Sequence, residues 1–116
     1  MQRSFRLTRP EDFKRVRQLG ISYAHPLVVL VTQVNDQARL RVGVSAGRAV
    51  GNAVKRNRAK RLLREAMRPL IPSLATGWDL ILIARTSLTS SSFFDVREAL
   101  LSLLRRAKLI IPSDAD

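Results

Sequence analysis

The chain has 116 residues, 46% of them hydrophobic, which suffices for one compact core and is too little for two. It carries 21 Lys and Arg against 9 Asp and Glu, a formal net charge of +12; a compact chain with that charge repels itself unless a polyanion neutralises it, which points to nucleic acid. Cysteine is absent, which excludes a disulfide framework, a thiolate metal site and a cysteine nucleophile.

The N-terminus lacks the apolar segment of a secretory signal, and no apolar run nears the length that spans a bilayer. A single domain over residues 1–116, in the cytoplasm and away from membranes, is therefore expected. Residues 1 to 7 are basic and turn-like. Thr8-Arg9-Pro10-Glu11 has the spacing of a capping box, Thr8 as N-cap and Glu11 reaching back. It predicts a short helix to about Leu19, stopped by Gly20.

Pro26 to Val34 is a β-branched run bounded by breakers, Asn35-Asp36-Gln37 turns the chain, and Arg39 to Ser45 alternates polar with apolar. The two runs are predicted to pair as a hairpin with one wet face. Gly43, inside the second strand, marks a bulge or the close approach of another backbone. After a Gly-rich connection over 46–51, a helix is predicted from about Asn52 to Arg68, ended by Pro69 and Pro72.

Trp78 to Ala84 is apolar on both faces and so should be a central strand. A polar loop over 86–91 leads to Ser92 and Asp95, which open a last helix to about Ala107 with Phe94, Leu100, Leu101, Leu103 and Leu104 at helical spacing. The order α-β-β-α-β-α predicts an α/β (α+β) sandwich, a small mixed sheet with helices packed on it.

The stretch GNAVKRNRAKRLLRE, residues 51 to 65, places six Lys or Arg in fifteen positions with one acid, Glu65. At about 100° per residue, Ala59, Leu62, Leu63, Ala66, Met67 and Leu70 gather on one side of the helix and Arg56, Asn57, Lys60, Arg61, Arg64 and Arg68 on the other. A charged helix face is ordinarily just solvated, but such a face interleaves both signs for i,i+4 support, whereas the pairs here repel or gain nothing. Asn57 is a poor interior helix residue whose amide suits base edges or phosphate. The ridge therefore reads as a nucleic-acid surface. Arg3, Arg6, Arg9, Lys14, Arg15 and Arg17 form a second, weaker basic group around the first helix.

Chemistry by side chains finds no constellation. Protein-based phosphodiester hydrolysis calls for clustered carboxylates holding metal ions or a His pair, but the nine acids are dispersed and His25 stands alone at a strand start, where a structural or solvated role is expected. No GxGxxG, Walker loop or HExxH occurs. Trp78 and Phe94 are expected in the core. Phe13 could pack on the sheet or stack on an unpaired nucleotide, and Tyr23 is equally open.

Together Leu7-Thr-Arg-Pro-Glu-Asp-Phe13, Leu40-Arg-Val-Gly-Val-Ser45, Val50-Gly-Asn-Ala-Val-Lys-Arg-Asn-Arg-Ala-Lys-Arg-Leu-Leu-Arg-Glu65, Asp79-Leu-Ile-Leu-Ile-Ala-Arg85 and Leu100-Leu-Ser-Leu-Leu-Arg105 give the chain a resemblance to the protein subunit of bacterial ribonuclease P. The resemblance runs from about Leu7 to Leu109, which implies a single RNA-binding domain with its core at about 7–109; the basic-helix motif is its specific part. The resemblance implies a fold shared with a domain of a small-subunit ribosomal protein, with a left-handed βαβ crossover against the usual hand. It implies a catalytic RNA partner that cleaves the 5′ leader from precursor tRNA with bound Mg²⁺, the protein having no catalytic residue, no metal ligand and no protein partner.

Two surfaces follow from the resemblance. Arg48, Asn52, Lys55, Arg56, Asn57, Arg58, Lys60, Arg61, Arg64 and Arg68 would face the RNA subunit. A cleft between the first helix and the sheet, with Arg6, Arg9, Phe13, Arg17, Val31 and Arg41, would hold the single-stranded leader. Arg17 and Val31 stand where relatives often carry aromatics, and Ala46-Gly47-Arg48-Ala49 has less charge than the Ser-Lys-Lys run common there, which implies a thinner, more electrostatic leader platform. The rival readings are a general or ribosomal RNA-binding protein with no part in cleavage, and a self-sufficient nuclease.

Overall fold

A computed structural model describes residues 5–111. Its elements are α1 (Pro10–Leu19), β1 (Ile21–Ala24), β2 (Val28–Val34), β3 (Arg41–Ala46), α2 (Ala53–Met67), β4 (Trp78–Ala84) and α3 (Phe93–Arg106), with 3₁₀ turns at Arg48–Val50, Arg68–Ser73 and Thr86–Ser90. The expected α-β-β-α-β-α succession is present, with one further strand, β1, ahead of β2. The strands form one sheet in the order β1-β2-β4-β3. β2 runs antiparallel to both its neighbours, while β3 runs parallel to β4, so β3-α2-β4 is a parallel βαβ unit and the sheet is mixed.

The predicted hairpin between residues 26–34 and 39–45 does not form, because β4 lies between the two strands. β4 is the most apolar strand on both faces and gains most from the centre of the sheet. The hairpin is instead β1 with β2, from Ile21 opposite Thr32 to Ala24 opposite Val29. β1 escaped the sequence reading because it is a four-residue edge strand, exposed at three of its positions, and so carries no hydrophobic alternation. On the other side, the edge of β3 is closed by the N-terminal segment: Arg6 bridges Val42 and the Leu7 N–H donates to the Val42 carbonyl at 2.9 Å.

Local chemistry sets the helix ends. α1 is capped at Arg9 with no side-chain bond and takes Pro10 in its first turn, so the Thr8 cap is not used. Proline suits that place because its missing N–H has no helical partner there. Gly20 ends α1 with an ordinary φ of −81°; a Cβ there would stand 2.5 Å from the Val16 carbonyl oxygen and 2.6 Å from that of Thr32, so glycine is required by the close approach of β2. The Asn52 side chain accepts from the Lys55 N–H at 3.0 Å and caps α2, and Ser92 does the same for α3 through the Asp95 N–H at 3.1 Å. Pro69 falls just past α2, where the chain tightens into the 3₁₀ turn.

Strand alternation gives the sheet two differently used faces. Val28, Leu30, Val42, Val44, Leu80 and Leu82 join Leu63, Met67, Leu100, Leu103 and Leu104 in the main core under α2 and α3. Trp78 and Tyr23 pack partly against it, and the Arg106 guanidinium lies 5.8 Å from the Tyr23 ring centroid, which places Tyr23 on the main-core side of the sheet, away from α1. Phe94, expected in the core, is 62% exposed. The buried stripe of α3 is Val96, Ala99, Leu100, Leu103 and Leu104, and Phe94 projects about 160° from Val96 around the helix. His25 accepts the Leu27 N–H through Nδ1 at 3.1 Å, a turn contact in keeping with a structural role. Among the described residues no helix is long and apolar enough to cross a membrane.

Candidate nucleic-acid interface

The other face of the sheet is organised in three rows across β2, β4 and β3, fixed by the strand register. The first row is Gln33, Asp79 and Arg41; the second Val31, Ile81 and Gly43; the third Val29, Ile83 and Ser45. α1 lies over the first two. Its Val16 joins Leu7, Val31 and Ile81 in a small core, and the Phe13 ring sits over Gly43, where a Cβ would come within 2.5 Å of Phe13 Cζ and 3.0 Å of the Leu7 carbonyl oxygen. The close approach foreseen at Gly43 is thus made by an aromatic ring and a backbone together. The third row is only half-buried. It forms a half-open floor beside the Phe13 margin of α1, where Arg17 is exposed.

The first row is ionic. Asp79 is completely buried and accepts Arg15 Nη2 at 2.6 Å, Arg41 Nε at 2.9 Å, Arg41 Nη2 at 2.8 Å and Asn35 Nδ2 at 2.9 Å. Arg15 also bonds Asp12 at 3.2 Å and the Gln33 side chain. Burial by itself would push the Asp79 carboxyl up, but the bonds from Arg41, Arg15 and Asn35 outweigh it and hold the group below the ordinary carboxylate range. The hydrogen bond to Asp79 in turn raises Arg15 and Arg41 above the usual guanidinium value against the effect of their own burial. Two acids and two arginines cancel, so the row is neutral.

Of the expected leader residues, Phe13 and Arg17 border the third-row floor, Val31 lies beneath α1, and Arg6, Arg9 and Arg41 gather at the start of α1. Val31 is only 3% exposed because α1 covers it. Arg41 is committed to Asp79, and along β3 it lies four residues, about 13 Å, from the Ser45 end of the floor. Arg6, Arg9, Arg39 and Arg41 line one concavity at the start of α1, together with Asp12. Arg6 also lines a second hollow with Phe13, Gly43 and Arg64. Arg3 lies outside the described residues. The floor residues Val29, Ile83 and Ser45 were not singled out from sequence, although strict alternation along β2 and β4 places them on the α1 side.

On α2 the two sides separate as the periodicity predicts. Ala59, Leu63, Ala66 and Met67 are buried, and Leu62 and Leu70 are half-buried. Arg48, Asn52, Lys55, Asn57, Arg58, Arg61 and Arg68 are exposed, while Arg56, Lys60 and Arg64 are half-buried at the margin. Asn57, Arg58, Lys60, Arg61 and Arg64 share one shallow hollow. Among the described residues every salt bridge involves Asp12 or Asp79, so no carboxylate neutralises this ridge. Arg56 Nε is buried without a hydrogen-bond partner in the protein. Burial and the nearby Arg6 both lower the pKa of Arg64, an arrangement that an anion between the two side chains would relieve. Here the helix ridge meets the hollow beside Phe13.

A family model described as Ribonuclease P matches residues 1–108. The Ribonuclease P protein component of Herpetosiphon aurantiacus is 40% identical over 109 residues, covering 94% of this chain and 89% of that protein. The component from Brevibacillus brevis is 40% identical over 111 residues, covering 95% of this chain and 88% of that one. Among solved structures, the RNase P protein of Staphylococcus aureus superposes with a TM-score of 0.82 at 30% identity, covering 91% of this chain and 97% of its own. The RNase P protein of Thermotoga maritima gives 0.78 at 32% identity, with 87% and 96% covered.

Proposed function

Since the chain belongs to the ribonuclease P protein family, whose members work with the ribonuclease P RNA in tRNA processing, we propose that it anchors that RNA through α2 and holds the 5′ leader of precursor tRNA in the cleft beside α1. The observation that carries this reading is the one-sided α2 ridge, basic along its length and unpaired with any acid among the described residues.

In this reading Arg56, Asn57, Lys60, Arg61 and Arg64, with Arg48, Asn52, Lys55, Arg58 and Arg68 around them, neutralise phosphates of the RNA subunit and release its condensed counterions. The leader enters past Arg6 and Arg9, stacks on the exposed part of Phe13 and runs over the floor of Val29, Ile83 and Ser45 beneath Arg17. Because Arg6 and Arg64 share one hollow, leader and RNA subunit meet there. Arg41 and Val31 act from beneath, as supports for α1.

Cleavage falls to the RNA with Mg²⁺. Asp12 and Asp79 are engaged by arginines, and in this reading the protein's side chains take no part in holding the ion. The protein's contribution is binding and orientation: it raises affinity for precursor over mature tRNA and lowers the Mg²⁺ needed for folding and binding by the RNA. A general RNA-binding role without cleavage finds no support in the relatives.

The test is precursor-tRNA cleavage at low Mg²⁺ by a bacterial ribonuclease P RNA with and without this protein, beside a protein-only control. Cleavage at the mature 5′ end that is faster only when both are present is the expected result. No acceleration would refute the assignment to this RNA, and cleavage by protein alone would refute the division of labour.

A further inference from the structure

We propose that Asp79 is a positioning residue that acts through Arg15: it fixes the roll of α1 about its own axis, and so the place of Phe13 at the rim of the cleft. The inference rests on the leader reading above.

α1 has ten residues, too short to be stable alone, and Val16 is its buried side chain. Around the helix, Arg15, Asp12, Val16 and Phe13 follow one another over an arc of about 160° that faces the sheet. Val16 lies in the middle of that arc, Arg15 at one margin and Phe13 at the other. A helix seated on one central side chain can rock about it unless both margins are held.

Phe13 holds one margin by lying over Gly43. Arg15 holds the other through its 2.6 Å bond to Asp79 Oδ2, with its bond to the Gln33 side chain and the 3.8 Å Arg41–Asp12 ion pair beside it. Asp79 is itself fixed in β4 by two bonds from Arg41, which already pair it in full. The added bonds from Arg15 and Asn35 tie α1 and the β2–β3 connection to the same carboxylate. Loosening the Arg15 margin lets α1 roll about Val16, and Phe13 moves relative to the floor of Val29, Ile83 and Ser45.

This role makes a prediction opposite in sign to simple electrostatics. Replacing Asp79 by Asn removes a negative charge near a bound polyanion, which on Coulombic grounds alone tightens binding. Positioning requires the same variant to bind the leader more weakly. Arg15→Gln is the second variant, and it leaves the Asp79–Arg41 pair intact so that the carboxylate stays partnered.

The experiment uses holoenzyme reconstituted with a ribonuclease P RNA and precursor tRNAs bearing either a leader that crosses the cleft or a single-nucleotide leader, with Kd, KM and kcat measured at several salt concentrations. Asp79→Asn and Arg15→Gln should each weaken binding of the long-leader precursor about tenfold, the effect of one lost charge-assisted bond. The double variant should be no weaker than either alone. The single-nucleotide substrate, kcat and the salt slope should match wild type.

Tighter or unchanged long-leader binding by Asp79→Asn would overturn the proposal. So would a salt slope reduced by about one unit in Arg15→Gln, since that marks Arg15 as a direct phosphate contact. If circular dichroism shows Asp79→Asn unfolded, Arg15→Gln decides by the same two criteria. A wild-type holoenzyme indifferent to leader length would refute the leader reading itself, and the positioning role with it.

Discussion

Gly43→Ala tests how closely α1 is seated. The added methyl carbon would lie 2.5 Å from Phe13 Cζ and 3.0 Å from the Leu7 carbonyl oxygen, against an ordinary carbon contact of about 3.5–4.0 Å. The ring must move by about 1 Å, and the Leu7 carbonyl, whose residue is bonded to Val42 through its N–H, must give as well. Overpacking of this kind costs about 1–3 kcal/mol, offset by about 0.5–1 kcal/mol from the lower chain entropy of alanine. A net loss of about 1–2 kcal/mol lowers Tm by roughly 5 °C in a domain of this size. Because the displaced group is Phe13, long-leader precursor should bind more weakly while RNA-subunit affinity stays unchanged. Gly47→Ala is the matched control, since nothing lies within 4 Å of its Cβ; it should leave both affinities as they are and should not lower Tm. A Gly43→Ala protein with wild-type Tm and leader affinity would refute the close seating of α1.

Arg61→Ala with Arg64→Ala should weaken RNA-subunit binding and flatten its log–log salt dependence by about one unit per lost phosphate contact; an unchanged slope in filter-binding titrations would remove these side chains from the interface. The folded-state pKa of Asp79 lies below its ordinary value, so its stabilisation is present above the unfolded carboxylate pKa of about 4 and is lost as pH falls through the folded value. Denaturant titrations should therefore show the stability advantage of wild type over Asp79→Asn constant near neutrality and shrinking below about pH 4. Self-repulsion at +12 and the crowding of Arg6 on Arg64 predict that sulfate raises Tm more than chloride at equal ionic strength, which scanning calorimetry would measure; equal effects would mean general screening and no anion site.

The helices were legible in the sequence because their signals are local. Asn52 and Ser92 announce two N-caps, and the Ala59/Leu63/Ala66/Met67 stripe separates cleanly from the arginines. The central place of Trp78–Ala84 was legible too, from its apolar content. Strand pairing was not: the run at 26–34 and that at 39–45 look like a hairpin because nothing between them reveals that β4, encoded over thirty residues later, will lie between them. Asp79 was passed over for a related reason. One acid in an apolar strand has no local partner, and its significance appears only when Arg15, Asn35 and Arg41 arrive from three other places in the chain. Phe94 misled because an aromatic at the start of a helix fits several helical stripes, and the stripe that is buried was decided by Val96 and Ala99.

The strand order β1-β2-β4-β3 also bears on how the protein is made. β2 and β3 leave the ribosome well before β4, yet neither is the other's neighbour, and both acquire their shared partner only when residues 78–84 emerge. Until then the segments of β3 and of the highly basic α2 have no completed sheet to rest on. Sheet closure is thus a late, non-local event that draws strand segments from across the chain together in one step. During that interval the α2 ridge is already synthesised, and RNA or chaperones near the ribosome meet its charge before they meet a folded domain.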